Sequence, residues 1–134
     1  MMSPRYVFDG QGGFACTAGP NALRRLELET KLRLALARGE LLLHFQPLLG
    51  LAGGTVTDAE ALVRWRGDDG RLISPADFIP LAEETGLIIP IGAWVLRSAC
   101  RQALQWLRDE GFELRIAVNL SARQFLDENL GLTI

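Results

Sequence analysis

The sequence predicts an α/β fold in which strands alternate with helices and the later strands pair in parallel. Two observations predict it: the order of strand and helix patterns along the chain, and the division of each strand into an apolar and a polar face. Of the 134 residues, 49% are apolar and 22% are charged, which is typical of one globular domain. The formal net charge of -2 gives no reason to expect a nucleic acid polymer or an anionic membrane as a partner.

The chain begins with an irregular segment and a charged helix. Residues 1–20 are rich in glycine and show no periodic pattern, so we interpret them as an extension or linker. Residues 21–39 have helical spacing, with Glu29 and Arg33 as an acid–base pair one turn apart, and Gly39 ends the helix. Its many charges predict a solvent-facing linker or packing helix.

Strands and helices alternate along the rest of the chain. Apolar and β-branched runs predict strands over residues 41–49, 55–65 and 113–121. Start and stop signals predict a helix from Ser74 to Gly86, which Pro80 is expected to shorten or bend, and a longer one from Pro90 to about Glu110. A further helix begins in the stretch ARQFLDENL. This order favours parallel pairing, with an antiparallel pair at the start.

The three strands share an unusual division between their faces. In the second strand, one face carries Ala59, Ala61, Val63 and Trp65, and the other carries Asp58, Glu60, Leu62 and Arg64. The same alternation places Gln46 on the polar face of the first strand and Asn119 on that of the third. In a (β/α)₈ barrel, side chains at the carboxyl ends of the strands form the active site. We therefore expect these polar side chains to converge.

The residue types on the polar face suit phosphate chemistry. Carboxylate and amide oxygens, as in Glu60 and Asn119, are ligands for Mg²⁺ or Mn²⁺. The guanidinium of Arg64 can hold a phosphate through two parallel hydrogen bonds. An ion pair between Glu60 and Arg64 inside the sheet explains the same pattern, because a buried carboxylate needs a partner.

Other reactive side chains favour structural roles. His44 is interpreted as a hydrogen-bonded strand histidine, because no acid nearby in the sequence would orient it as a base. Glu83 and Glu84, near a helix end, are expected to be solvated, and the three tryptophans are expected to pack in the core or between helices and sheet. Ser121 lacks the context of a nucleophile elbow.

Four segments in order, HFQP, EALVRW, SPADFIPLAEETGLI and AVNLS, resemble the first half of an EAL domain. That family contains phosphodiesterases for the bacterial second messenger cyclic di-GMP. The resemblance implies a partial TIM-type β/α barrel over residues 40–134 whose first strand runs antiparallel to the others. The helix over residues 21–39 is similar to the linker that joins a GGDEF domain to an EAL domain.

The resemblance also implies roles for individual residues. Glu60 and Asn119 correspond to metal ligands for Mg²⁺ or Mn²⁺, and Gln46, Leu62 and Arg64 correspond to substrate contacts, Arg64 at a phosphate. The implied reaction is two-metal hydrolysis of cyclic di-GMP to linear pGpG. The family's remaining acidic ligands and its lysine map to no residue here, so no catalytic set is complete and the chain alone is expected to be inactive. The alternative is a non-catalytic cyclic di-GMP receptor or an interaction module with a degenerate EAL domain.

Expected partners follow from the resemblance and from the length of the chain. A complete (β/α)₈ barrel needs roughly 250 residues, so a half barrel leaves open sheet edges that favour a homodimer or an exchanged assembly. A GGDEF or sensory domain is an expected upstream neighbour. The apolar window GLIIPIGAWVL is too short to span a bilayer, and the first ten residues lack a signal-peptide core, so we expect no membrane contact and a cytoplasmic location.

Overall fold

The computed structural model describes residues 5–8, 14–17 and 20–133, with side chains described for residues 21–131. The strands β1 (Arg5–Phe8) and β2 (Phe14–Thr17) form a separate two-stranded antiparallel sheet. Sequence periodicity did not indicate them, since a four-residue strand is too short to establish an alternating pattern. The interpretation of residues 1–20 as an extension or linker stays a prediction.

The charged helix α1 (Pro20–Arg38) forms where the sequence predicted it, but one of its faces is part of the core. Leu32 is 1% exposed and Ala35 is fully buried, in the same cluster as residues of the main sheet. Glu29 and Arg33 form the predicted ion pair, at 2.7 Å. The helix is therefore attached to the rest of the chain by its apolar stripe while its charges face solvent.

The main sheet has four strands: β3 (Leu41–Leu49), β4 (Val56–Arg66), β5 (Leu72–Ile73) and β6 (Arg115–Val118). The strand β3 runs antiparallel to β4 and β6 runs parallel to it, which confirms both predicted orientations. The strand β5 was not predicted; its two residues pair antiparallel with the end of β4. This open sheet, with helices on its apolar face, has the layout expected of a partial β/α barrel.

The two edges of β4 differ in how they are paired. Along one edge β3 pairs with the whole strand. On the other edge, β6 pairs with residues 58–61 and β5 with residues 65–66, so residues 62–64 lie between these two partners. The gap is at the carboxyl end of β6, where a barrel places its functional groups.

The helices are α2 (Pro75–Thr85), α3 (Ile88–Glu110), α4 (Ala122–Phe125) and α5 (Leu130–Thr133). Ser74 accepts a hydrogen bond from the Ala76 amide as the cap of α2, and α2 continues beyond Pro80 to Thr85, so the proline does not shorten it. Helix α3 begins two residues before Pro90. A proline in the first turn is compatible with this start, because the amides there have no intrahelical partner.

The core lies between the apolar face of the sheet and the helices. Trp65 is 1% exposed and meets the fully buried Phe78 of α2 edge to face, at 5.6 Å between ring centroids. Trp106 of α3 packs likewise on Phe45, and Trp94 lies against the core cluster, so the predicted packing role of the tryptophans is confirmed. In the described part of the chain no single helix meets the length and apolarity of a membrane span; α2 and α3 meet them only as a pair, bent by 118°.

Candidate functional site

The polar face of β4 is confirmed by burial. Ala59 and Ala61 are each 3% exposed on the helix-covered face. On the opposite face Glu60, Leu62 and Arg64 are only partly buried, so a ligand can reach them. The strand thus uses one face to hold the fold and the other to present functional groups.

Glu60 is the centre of this face. Its direct neighbour on β3 is Gln46, which pairs with it in the antiparallel register. From the other side, Asn119 Nδ2 donates a hydrogen bond to Glu60 Oε1 over 2.8 Å. Asn119 follows immediately after Val118, the last residue of β6 that pairs with β4. The structure therefore brings together Gln46 of β3, Glu60 of β4 and Asn119 at the end of β6, and this convergence was predicted from the sequence.

Arg64 lies on the same face, nearer the carboxyl end of β4. Its Nη1 donates to the carbonyl oxygen of Val63 over 3.0 Å, while Glu60 accepts from Asn119. Among the salt bridges between described residues, none joins Glu60 to Arg64, so the alternative of an internal ion pair is not supported by this structure. The guanidinium retains donors for a ligand phosphate.

The donor set fits part of a divalent metal site. Glu60 and Asn119 supply hard oxygen donors, although the Asn119 amide here presents its nitrogen to the carboxylate; rotation of the amide would present Oδ1 instead. Within the described residues, no three His, Cys, Asp or Glu side chains are grouped to hold a metal ion. Two protein oxygens leave the other positions of a six-coordinate ion to water, phosphate or further protein ligands.

A cavity of about 310 Å³ adjoins this face at the gap between β5 and β6. Ala61 and Val63 line it from the helix-covered face of β4, Arg64 and Asn119 from the polar side, and Ile91 from α3. Its walls are mainly apolar with a few polar groups, as in sites for small organic ligands. The site can therefore offer an apolar surface beside the groups suited to phosphate.

Three residues given structural roles can now be placed. His44 is exposed on the polar face of β3, opposite Leu62. Glu84 is exposed and pairs with Arg25, whereas Glu83 is partly buried and lines the cavity. The position of Glu83 beside the cavity depends on how α2 packs against the rest of the chain, which the sequence pattern did not indicate.

At the opposite end of the polar face, Asp58 and Arg115 form an ion pair across β4 and β6. Arg115 donates to both carboxylate oxygens, with Nε–Oδ1 at 2.7 Å and Nη2–Oδ2 at 3.0 Å. The Thr57 hydroxyl bonds to the same carboxylate, and this bond, followed by those from Arg115, lowers the pKa of Asp58 below its usual value. The negative charge of Asp58 is thus balanced by Arg115, and this ion pair does not include Glu60.

Comparison with known families identifies this arrangement. The EAL domain model matches residues 29–133. The chain belongs to the EAL domain family. The match begins inside α1, whose Leu32 and Ala35 are part of the same core as the sheet.

Several relatives of this EAL chain carry functional names. The cyclic di-GMP phosphodiesterase PdeR of Escherichia coli is 46% identical over 90% of this chain. MucR of Pseudomonas aeruginosa, named as a bifunctional diguanylate cyclase and cyclic di-GMP phosphodiesterase, is 46% identical over 87% of it. The chain spans only 18% and 17% of their respective lengths.

Solved EAL structures confirm the fold. The PaMucR phosphodiesterase in complex with c-di-GMP matches with a TM-score of 0.75 and 47% identity, over 80% of this chain and 43% of that chain. The Xanthomonas citri FimX EAL domain in complex with c-di-GMP matches with a TM-score of 0.73 and 30% identity, over 84% of this chain and 43% of that chain. Both likenesses agree with a partial TIM-like barrel.

Two residues beside the site were not predicted from sequence. Gln124 is 3% exposed although it is polar, and Gly92 is buried in the middle of an apolar helical turn. A Cβ atom built on Gly92 would lie 1.7 Å from Gln124 Nε2. The available signals were a glycine inside a helical pattern and the spacing Ser-x-x-Gln at the start of a helix.

Proposed function

We propose that the protein carrying this chain is a cyclic di-GMP phosphodiesterase of bacterial second-messenger signalling, which hydrolyses cyclic di-GMP to linear pGpG. The observation that carries the proposal is the 2.8 Å contact between Asn119 and Glu60 on the open polar face of the sheet. Membership of the EAL family and relatives named as cyclic di-GMP phosphodiesterases support the substrate. In this proposal the chain supplies the first wall of the site.

EAL phosphodiesterases are metal-dependent in general. We propose Mg²⁺ or Mn²⁺ as the metal, with Glu60 and Asn119 as the ligands that this chain provides. A bound divalent ion supplies charge neutralisation at the phosphate and an acidified water molecule. The role of Glu60 is to hold a fixed negative charge on the polar face of β4, and that of Asn119 is to add a neutral oxygen beside it.

The substrate contacts follow from the order of side chains along the sheet. Arg64, nearer the carboxyl end of β4 than Glu60, is proposed to hold a phosphate oxygen through its guanidinium N–H groups. Leu62, between them, offers an apolar surface to a base, and Gln46, opposite Glu60, offers an amide to a polar edge of the nucleotide. Phosphate and base are thereby oriented relative to the metal ligands.

Hydrolysis tests the proposal directly. The full-length protein is incubated with cyclic di-GMP and Mn²⁺, and pGpG is quantified by chromatography. We expect turnover by the wild-type protein and at least an approximately hundredfold loss in Glu60→Gln, because the substitution removes the anionic metal ligand. Glu110→Gln, the same change at an exposed position at the end of α3, is the matched control.

Two further measurements separate the alternatives. The 134-residue chain alone is expected to show no turnover, since it offers two metal ligands where two-metal hydrolysis needs more. Full-length protein that binds cyclic di-GMP in calorimetry but yields no pGpG with either metal would support a receptor and contradict the phosphodiesterase. If the protein neither binds nor hydrolyses cyclic di-GMP, the result would support an interaction module with a degenerate EAL domain.

We also propose that the chain self-associates. Within the described residues, β3 and β6 each pair with β4 alone, so each presents an open edge. Open edges favour pairing with another chain, as a homodimer or by exchange of elements. Light scattering at tens of micromolar is expected to show a dimer or larger species, and a uniform monomer contradicts the proposal.

A GGDEF or sensory domain is the proposed upstream neighbour in the parent protein. The bifunctional name of MucR supports the first. The cytoplasm is the proposed location, because the proposed substrate is an intracellular second messenger. The parent reading frame and fractionation of cells test these two proposals.

A further inference from the structure

The position of Asn119 is not fixed by strand pairing. The parallel register between β4 and β6 ends at the pair Ala61 and Val118, and Asn119 is the next residue. A residue beyond the last ladder pair can move with the segment that follows it. What holds Asn119 opposite Glu60 must therefore be sought in the turn into α4.

That turn is held by a reciprocal cap between Ser121 and Gln124. The backbone N–H of Gln124 donates a hydrogen bond to the Ser121 hydroxyl oxygen over 3.4 Å. In return, the backbone N–H of Ser121 donates to Gln124 Oε1 over 2.9 Å. Two backbone amides that the helix cannot satisfy thereby find partners. Ser121 is only two residues after Asn119, so the cap determines the direction in which the chain leaves β6.

The capping glutamine is itself fixed by α3. Gln124 is 3% exposed and lies directly on Gly92, where an added Cβ would be 1.7 Å from its Nε2 and 2.7 Å from its Cδ. Gly92 has an ordinary helical backbone, so the glycine is needed for this close approach and not for its conformation. Glycine in a helix interior is unfavourable relative to alanine, which indicates a compensating packing role.

A second attachment lies one residue before Gln124. Arg123 donates to the carbonyl oxygens of Glu83 and Glu84 at the end of α2, the latter over 3.0 Å. These carbonyls are in the last turn of that helix, where a cation is also favoured by the helix dipole. Because α4 has only four residues and cannot be stable by itself, its orientation depends on these contacts with α2 and α3.

We propose that Gln124, seated on Gly92, is a positioning residue that fixes Asn119 against Glu60 and so sets the geometry of the metal ligands. The proposal rests on the function proposed above. Gln124 does not touch the metal or the substrate in this role. It acts through the Ser121 amide and the backbone between Ser121 and Asn119.

Mn²⁺ binding to the full-length protein, measured by calorimetry, tests the proposal. Gly92→Ala is expected to displace the Gln124 side chain and weaken Mn²⁺ binding about tenfold. This is the lower end of the loss in metal affinity that follows when a residue supporting a metal ligand is replaced. Gln124→Ala is expected to weaken it similarly. In the Gln124→Ala background, Gly92→Ala should change the Mn²⁺ affinity by less than about twofold, because the Gln124 side-chain atoms that the new Cβ would contact are absent.

A matched control and a rescue separate positioning from general stability. Gly131→Ala makes the same substitution where a Cβ meets nothing within 4 Å, and it should leave Mn²⁺ binding unchanged. Gln124→Glu keeps an acceptor oxygen for the Ser121 amide and should restore part of the affinity lost in Gln124→Ala. Folded Gly92→Ala and Gln124→Ala proteins that bind Mn²⁺ within about twofold of wild type would overturn the proposal.

A measurement without metal tests the positioning role of Gln124 independently of the proposed phosphodiesterase function. If the wild-type protein binds no Mn²⁺, the metal-dependent function fails, and crystal structures of the metal-free variants decide about positioning. A distance from Asn119 Nδ2 to Glu60 Oε1 beyond about 3.5 Å in Gln124→Ala supports it, since that contact is then lost. A distance unchanged from 2.8 Å overturns it, and Gln124→Ala decides alone if Gly92→Ala does not fold.

Discussion

Asn119 donates its side-chain amide to Glu60 Oε1 over 2.8 Å, although the two residues are 59 positions apart in the chain. Glu60 lies in the middle of β4 and Asn119 just after β6, so the contact joins the polar face of one strand to the carboxyl end of its parallel neighbour. Both side chains are on the open face of the sheet. Any ligand that binds one of them is therefore within reach of the other.

Asn119→Ala is expected to lower turnover of cyclic di-GMP about tenfold to a hundredfold, because it removes a metal ligand and leaves Glu60 without its neighbour. Initial rates at saturating substrate, measured across Mn²⁺ concentrations, check this. Part of the loss should be recovered at high Mn²⁺. Asn21→Ala, at an exposed position in α1, is the control, and equal rates in both variants would contradict the assignment of Asn119.

Arg64→Lys is expected to weaken cyclic di-GMP binding about tenfold, because an ammonium group cannot make two parallel hydrogen bonds to a phosphate. The charge is retained, so the change isolates the geometry of the guanidinium. Calorimetry with the full-length protein measures the affinity. Arg97→Lys, at an exposed position of α3, is the matched control, and an unchanged affinity in Arg64→Lys would remove this residue from the substrate site.

The alternation of side chains was sufficient to predict the faces of the sheet. A period of two places Ala59 and Ala61 on one side and Glu60 on the other, whatever the partners of the strand are. Helix bounds were predicted within two residues, because Ser74, Gly86 and Gly111 are local signals that act in the helix where they occur.

Contacts between distant segments could not be predicted in this way. The pairing of Asn119 with Glu60 was expected from their position at strand ends, but its geometry depends on how Gln124 sits on Gly92. That close approach joins α3 and α4, and no local pattern encodes it. The strand β5 was missed for a similar reason, since two residues become a strand only because the end of β4 pairs with them.

Leu32→Ala in α1 is expected to destabilise the fold by about 2–5 kcal/mol, because Leu32 is 1% exposed and its removal leaves a cavity in the core. Denaturant unfolding measures the loss. Leu34→Ala is the control on the same helix, since Leu34 is 41% exposed and its truncation should have little effect. Equal stabilities of the two variants would show that α1 is a linker without a role in the core.

Asp58→Asn is expected to destabilise the fold at neutral pH but not in acid. Hydrogen bonds from the Thr57 hydroxyl and from Arg115 lower the pKa of Asp58 below its ordinary value of 3.8. A carboxyl whose folded pKa is depressed adds stability above its unfolded pKa, and this stability is lost as the pH falls through the folded value. The difference between wild type and variant should therefore be constant near pH 7, begin to fall as the pH approaches 3.8, and disappear below the lower, folded pKa of Asp58.

Thermal unfolding of both proteins between neutral and acidic pH measures this difference. Because the Asp58–Arg115 pair is at the surface, added salt should reduce the part that Arg115 contributes and leave the part from the Thr57 hydroxyl. Arg115→Gln should consequently reproduce a fraction of the loss and should not be additive with Asp58→Asn. A difference that persists unchanged into acid would mean that Asp58 stabilises the strand by its packing and not by its charge.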